Sequence, residues 1–524
     1  MSKDQAKFGK IRSLLWPIHN YELKKLLPMF FMFLLISFNY TILRDTKDTL
    51  IVTASGSGAE AIPFLKVWGV LPAAIIFMVI YAKLSNKLSK KNLFYATIIP
   101  FLLFFVLFSF VLYPLRDSLH PTEFADKLQA VLPQGFMGFI AIFRNWTFSL
   151  FYILSELWGS VILSLLFWGF ANDIMKITEA KRFYSILGLG ANIALLLSGP
   201  CIIWTANIRK SLPAHIDAWG VTLKYSAILI VAAGVLIIFF YNWITKNVLT
   251  DPKFYDPKEQ TSMKKAKPKL SLKESLLFLS KSKYIRLLTI LVLSYGVCIN
   301  IVEVTWKAQL KLQYPNPNDY QAFMGGFSIV TGLVTSFMML FVGGNVIRKF
   351  GWGVAAIITP VILLITGLGF FSILLFKGYS IHTYLMGALG LSPLMLVVFI
   401  GAAQNIMSKS SKYSLFDPTK EMAYIPLDPE SKVKGKAAID VVGARLGKSG
   451  GSIIQQVLIV GLGSIAAMTP YVAIILFFMI IGWSVSVKML NKLFIKKEKE
   501  FHIKHDEKSK ASNINSKMAR NQTT

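Results

Sequence analysis

The chain has 524 residues, 54% of them hydrophobic and only 16% charged, and its 56 lysines and arginines against 27 acids give a formal net charge of +29. A mean hydropathy of +0.55 excludes an ordinary soluble protein, because many windows of about 20 residues are long enough to cross the roughly 30 Å hydrocarbon layer of a bilayer. The two cysteines, Cys201 and Cys298, fall in apolar stretches and imply neither a disulfide framework nor a metal site, and the positive charge sits in short loops beside apolar runs, which argues against nucleic acid as its partner and for a lipid bilayer.

Residues 1–26 show no small-residue cleavage site before the first apolar run, so neither a signal peptide nor a Ser- and Arg-rich targeting extension is expected. Twelve apolar spans follow, at 27–46, 61–82, 92–113, 142–172, 183–205, 222–245, 286–311, 322–346, 352–376, 383–407, 436–463 and 469–491. They predict an all-α membrane protein of twelve transmembrane helices in two six-helix halves, 27–246 and 286–495. The stretch 247–285 between them is lysine-rich with Pro252, Pro257 and Pro268, and reads as a solvated linker beside an anionic leaflet. The segment 496–524 reads as a polar, disordered tail.

The loops sort by sign. Those at 1–28, 83–91, 176–182, 246–286, 348–349, 409–436 and from 488 onward hold 42 of the 56 basic residues, and those on the opposite side hold 10, among them Lys47. Cytoplasmic loops carry the lysine and arginine excess, so both termini and the linker are expected in the cytoplasm. Four basic residues remain, Lys66, Arg144, Arg445 and Lys448, in or at the edge of spans that also hold Glu156, Glu303 and Asp440. Lys66 and Arg144, near span ends, fit either headgroup snorkelling or a ligand. Glu156, Glu303 and Lys448 lie deeper, where a charge is costly and by default faces a water-filled cavity. An anionic substrate follows.

A weak internal repeat at an offset of 260 aligns Lys47 in RDTKDTL with Lys307 in VEVTWKAQL, and Pro100 with Pro360. Two such halves resemble major-facilitator-like transporters, in which the substrate sits near the midplane. GARLGKSGG at 443–451 imitates a phosphate loop, but three residues rather than four separate Gly443 from Gly447 and no strand precedes it; its glycines fit a thinned helix that lets a partner or ligand approach. Glu303, Trp306 and Lys307 share a helix face, where an aromatic beside a cation suits a base and a phosphate, although Trp306 near a span end also reads as an interfacial belt residue. RDTKD at 44–48 reads as a helix cap with local ion pairs or as a gate. No catalytic constellation is present, so no enzyme and no cofactor is expected.

These residues resemble the non-mitochondrial ATP:ADP antiporters of obligate intracellular bacteria and plastids, in the stretches FNYTILRDTKDTL, AEAIPFLKVW, SELWGSVILSLLFWGFAN, INIVEVTWKAQL, KYSLFDPTKEMAYIPLD and KVKGKAAIDVVGARLGKSGG. The resemblance covers roughly residues 20 to 495. It implies a major-facilitator-like fold, exchange of external ATP for ADP plus phosphate, and nucleotide transport through four charges that fall on Lys66, Glu156, Glu303 and Lys448. Arg144 and Lys47 join them as lesser contributors. A bacterial cell membrane and a monomer are the accompanying expectations. A proton-coupled nucleotide importer of broader specificity is the alternative, since membrane glutamates also serve proton relays; a membrane enzyme acting on lipid-linked phosphates is disfavoured by the missing catalytic set.

Overall fold

Long apolar runs in lipid must satisfy every backbone N–H and C=O internally, and the helix does so within one segment. The computed structural model describes residues 18–175, 177–251, 254, 282–376, 390–428, 431, 435–436, 439 and 444–521, and among these no strand occurs. The long helices are α1 (Leu23–Thr53), α2 (Ala61–Lys87), α3 (Lys90–Leu112), α4 (Trp146–Ile174), α5 (Ile177–Asn207), α6 (Ala218–Asn247), α7 (Lys283–Gln313), α8 (Pro317–Phe337), α9 (Gly344–Leu375), α10 (Pro393–Ser411), α11 (Ala444–Leu462) and α12 (Ile465–Asn521). Nine helical runs among the described residues are long and apolar enough to cross a membrane, and one of them, Pro317–Leu375, is two spans divided at Gly351. Gly351 has φ 79° and ψ 179°, a conformation only glycine adopts freely, and it follows the expected basic turn at 348–349. With α10 and α11 added, each of the twelve expected spans overlaps a helix among the described residues; 383–389 and most of 437–443 lie outside them. Most of the linker, Asp440 and the side chains of Arg445 and Lys448 lie outside the described residues.

Caps mark several starts. The side chains of Ser89, Asp217 and Ser392 accept hydrogen bonds from the backbone N–H of Asn92, Gly220 and Met395 at 3.3, 3.0 and 3.2 Å, satisfying donors that the helix itself leaves open. The repeat reappears in the helix bounds. Shifting Leu23–Thr53 by 260 residues lands on Lys283–Gln313 at both ends, and Pro100 and Pro360 each lie inside a helix. The two matched helices, α1 and α7, are the most buried, 67% of the most apolar window in each case, against 11% for α2, whose outer surface is lipid-facing.

The chain forms two units. The first comprises Met1–Ala266, Lys307–Ser336 and Ile459–Ile465; the second comprises Lys267–Trp306, Phe337–Leu458 and Ala466–Thr524. In the first, α1 packs between α4, α5 and α6. Lipid tails are as apolar as leucine, so close packing and interhelical hydrogen bonds, each worth about 0.6 kcal/mol and up to about 1.7, hold such helices. Here Asn39 donates to the carbonyl of Ile230 at 2.9 Å and Trp158 to that of Ile36 at 3.1 Å. At one end Lys25, fully buried, donates to Glu179 and the carbonyl of Ile174 at 2.7 Å and to that of Phe254 at 3.1 Å. Glycines set the approach of α5 to α8: a Cβ on Gly199 would lie 2.8 Å from the carbonyl oxygen of Gly325, and one on Gly325 2.9 Å from that of Gly199.

In the second unit α9 packs on α10, and Tyr295, Phe416 and Trp483 stack into one aromatic cluster. Trp306 is 1% exposed and donates to the carbonyl of Val398 at 2.9 Å. It packs against Gly401 and is no interfacial belt residue.

Three more expectations change. RDTKD does not cap the first span but lies inside α1, which runs seven residues past the expected end at 46 to Thr53; ion pairing lets a helix keep charges that hydropathy alone reads as its end. The span expected at 142–172 is broken at Asn145 (φ −115°, ψ 48°), so Met137–Arg144 is a separate short helix. Beyond residue 496 the chain continues as helix to Asn521, where composition alone suggests disorder.

Candidate functional site

The charged residues of α1 fall on a helix whose preceding turns are rich in Leu, Ile, Phe and Met. At the first unit's centre they form a chain of alternating sign. Lys47 Nζ lies 2.7 Å from Oδ1 of Asp48 and 2.9 Å from Oε1 of Glu156 on α4. Oδ2 of Asp48 accepts a second ammonium, that of Lys307 on α7, at 2.7 Å. Lys47 also stands 4.0 Å above the ring of Tyr152, one helical turn before Glu156, and a desolvated cation gains from the negative face of a ring. The side chains of Lys47, Asp48 and Lys307 are 2%, 2% and 3% exposed, that of Glu156 24%. Each charge lies beside its opposite, which is the condition for keeping the three buried ones dry: removing one partner of such a pair costs about 3–5 kcal/mol because the other is left buried and uncompensated.

Neighbouring side chains hold this chain in register. Asp45 accepts from Arg44 Nε at 2.9 Å and from the hydroxyl of Ser328 at 2.8 Å, and Arg44 Nη2 donates to the same hydroxyl oxygen at 2.9 Å. Thr49 donates to Gln321 at 2.6 Å, and the Gln321 amide donates to Thr46 at 3.1 Å. One turn beyond Lys307, Lys311 donates to the carbonyl of Ser57.

The remaining charges sit on separate elements. Lys66, half-buried, lies in a π-helical turn, Leu65–Val70, that packs on the Trp146–Leu157 part of α4 where Glu156 resides. A second π segment, Trp158–Phe167, begins two residues after Glu156. Such turns insert one residue into the helical repeat and recur at functional sites. Arg144 is 7% exposed and bonds Asp126 and, at 3.1 Å, Gln129, both on the helix Thr122–Val131. In the second unit Glu303 on α7 lies 4.0 Å from Lys409 on α10. There α11, which carries Lys448, is pinned to α7. A Cβ on Gly447 would lie 3.3 Å from the Cα of Gly296, and one on Gly451 would lie 3.1 Å from the Asn300 amide. Asn300 donates to Ser452 at 2.7 Å, and Gln455 to the carbonyl of Ile301 at 3.2 Å. Gly447 and Gly451 of GARLGKSGG therefore serve a helix crossing before Glu303, whereas a Cβ on Gly450 would meet nothing within 4 Å. Among the described residues no group of three or more His, Cys, Asp or Glu could hold a metal ion.

Residues 1–494 match the family described as TLC ATP/ADP transporter. The chain belongs to that family. Its similarity to ADP,ATP carrier protein 1 of Chlamydia pneumoniae is 61% identity over 98% of this chain and 100% of that protein. With the chloroplastic ADP,ATP carrier protein 2 of Arabidopsis thaliana it shares 53% over 90% and 75% of the two chains, and with ADP,ATP carrier protein 1 of Rickettsia bellii 45% over 94% and 97%. Among solved structures, a bacterial homologue of the iron transporter ferroportin aligns at TM-score 0.54 and 12% identity over 92% of this chain and 99% of that one. A nucleoside transporter aligns at 0.52 and 11% over 89% and 99%. At such identity they speak for the fold alone, which is major-facilitator-like.

In this TLC transporter the structure therefore joins Lys47 and Glu156 directly, places Lys66 on a turn against the Glu156 helix, sets Glu303 beside Lys409, and gives Arg144 to Asp126. Asp48 and Lys409 are site neighbours that the sequence pattern does not single out, although Asp48 lies in the conspicuous RDTKD run, and Lys307, expected to face a ligand beside Glu303 and Trp306, pairs instead with Asp48.

Proposed function

We propose that this chain exchanges external ATP for internal ADP by alternating access, with phosphate leaving alongside ADP. Its family and the names of its relatives support the nucleotides, and the observation that carries the mechanism is the largely buried, sign-alternating Lys307–Asp48–Lys47–Glu156 chain. A carrier that binds a polyanion needs cations at its centre, and between cycles those cations need counter-ions. Internal carboxylates supply them, and substrate phosphate replaces them.

In this reading Lys66, Lys448 and Lys47 hold the polyphosphate, Arg144 contributes from a more distant position, and Glu156 and Glu303 are the counter-ions that couple binding to the conformational change. Residues 27–246 and 286–495 are the moving halves, 247–285 the cytoplasmic linker and 496–524 the cytoplasmic tail. The protein works as a monomer in a bacterial cell membrane with both termini inside, the orientation that its basic loops favour.

The test is uptake of labelled ATP into vesicles containing the purified protein, with and without ADP trapped inside. Trapped ADP is expected to accelerate uptake severalfold or more. Uptake that ignores trapped ADP and follows an imposed proton gradient would instead establish the proton-coupled importer.

A further inference from the structure

Asp48 does what a bound phosphate would do. Its two oxygens each take one ammonium at 2.7 Å, from Lys47 on one side and Lys307 on the other, and all three side chains are at most 3% exposed. Two lysines clasping one small oxyanion is the arrangement a terminal phosphate group needs, since lysine binds phosphate as a compact point charge. The lysines occupy matched positions of the internal repeat, 260 residues apart. The anion's placement is explained by the cations it neutralises.

We propose that Lys47 and Lys307 form a phosphate-group subsite that the Asp48 carboxylate occupies in the substrate-free chain and vacates when a phosphate group binds. This rests on the nucleotide-exchange reading and adds Lys307 and Asp48 to it. The incoming group is either the terminal phosphate of the nucleotide or free phosphate; both present the same oxyanion. The tethered carboxylate acts as a built-in competitor. It keeps the empty site neutral and weakens phosphate binding enough for release on the far side.

The experiment uses the full-length protein in vesicles, comparing wild type with Lys307→Gln, Lys307→Arg and Asp48→Asn at matched levels of folded protein, judged by thermal unfolding in detergent. Lys307→Gln is expected to raise the KM for ATP, or to abolish stimulation by trapped phosphate, by about tenfold or more, with Lys307→Arg retaining most of the wild-type behaviour. The first result assigns the subsite to the nucleotide's terminal phosphate and the second to free phosphate. Asp48→Asn is expected to bind the phosphate group more tightly and exchange more slowly, lowering KM and maximal rate together. Two folded variants with wild-type KM and wild-type phosphate response would overturn the subsite, as would an Asp48→Asn protein that binds more weakly. Wild-type protein that performs no ATP/ADP exchange would instead refute the reading beneath it.

Discussion

Lys47 and Lys307 stand 260 residues apart in the chain and bind opposite oxygens of one carboxylate, that of Asp48, at 2.7 Å each. With Glu156, 24% exposed, on the far side of Lys47 at 2.9 Å, the four side chains alternate in sign, so each buried charge has an opposite beside it.

Truncating either proposed polyphosphate lysine removes one charged hydrogen bond, worth about 1.5–3 kcal/mol. Lys66→Ala and Lys448→Ala are each expected to weaken ATP binding about 10–150-fold, measured by equilibrium binding at equal expression. Unchanged affinity in both would move the site elsewhere.

The carboxylates have a different signature. Glu156 pairs with Lys47 and Glu303 lies 4.0 Å from Lys409, so neither is placed to attract a phosphate. Glu156→Gln and Glu303→Gln are expected to slow exchange more than they weaken binding. Normal exchange rates with lost affinity would contradict a coupling role.

ATP carries about four negative charges at neutral pH and ADP about three, so simple exchange moves one negative charge inward. Against an inside-negative potential that costs roughly 2.3 kcal/mol per 100 mV, a factor of about 50. Phosphate leaving with ADP removes the penalty. Trapped phosphate is expected to stimulate ATP uptake and to leave an inside-negative potential with little inhibitory effect. Uptake that runs equally fast with ADP alone, and falls steeply as the interior becomes negative, would exclude co-export.

The α5–α8 crossing predicts a purely structural effect. A methyl at position 199 would lie 2.4 Å from Ile329 and 2.8 Å from the Gly325 carbonyl, and the backbone cannot yield as a side chain does. Gly199→Ala is expected to destabilise the protein by about 1–3 kcal/mol, the usual cost of overpacking. An unchanged unfolding temperature in detergent would show that the helices separate without cost.

His120, in the connection between α3 and α4, shares a 2.6 Å hydrogen bond with Thr147 and meets the ring of Phe148 edge-on. Burial pushes its imidazole below the ordinary histidine value, with Arg116 acting in the same direction and Asp117 opposing. The unfolded chain therefore takes up a proton first as pH falls through about 6.5, and stability declines there before levelling once the folded histidine is also protonated. The unfolding temperature of wild type is expected to drop more than that of His120→Gln between pH 7.5 and 5.5. Parallel profiles would show that another group carries the dependence.

Hydropathy and charge alone determined the twelve spans, because a bilayer admits only helices of about 20 apolar residues and sorts their loops by lysine and arginine. The 260-residue repeat was legible for a related reason: α1 and α7 meet the same demands, down to matching ends at Leu23–Thr53 and Lys283–Gln313. Which charge meets which was not legible. Lys47 and Arg144 read alike as lesser site cations, yet Lys47 lies within the buried chain and Arg144 pairs with Asp126 on a short connecting helix. Ion-pair partners are set by how helices far apart in sequence rotate and cross. That rotation depends here on glycine contacts such as Gly199 with Gly325 and on π turns at Leu65–Val70 and Trp158–Phe167. Each such turn adds a residue to the repeat and turns every later side chain on its helix, a shift that a 3.6-residue pattern cannot encode and only packing decides.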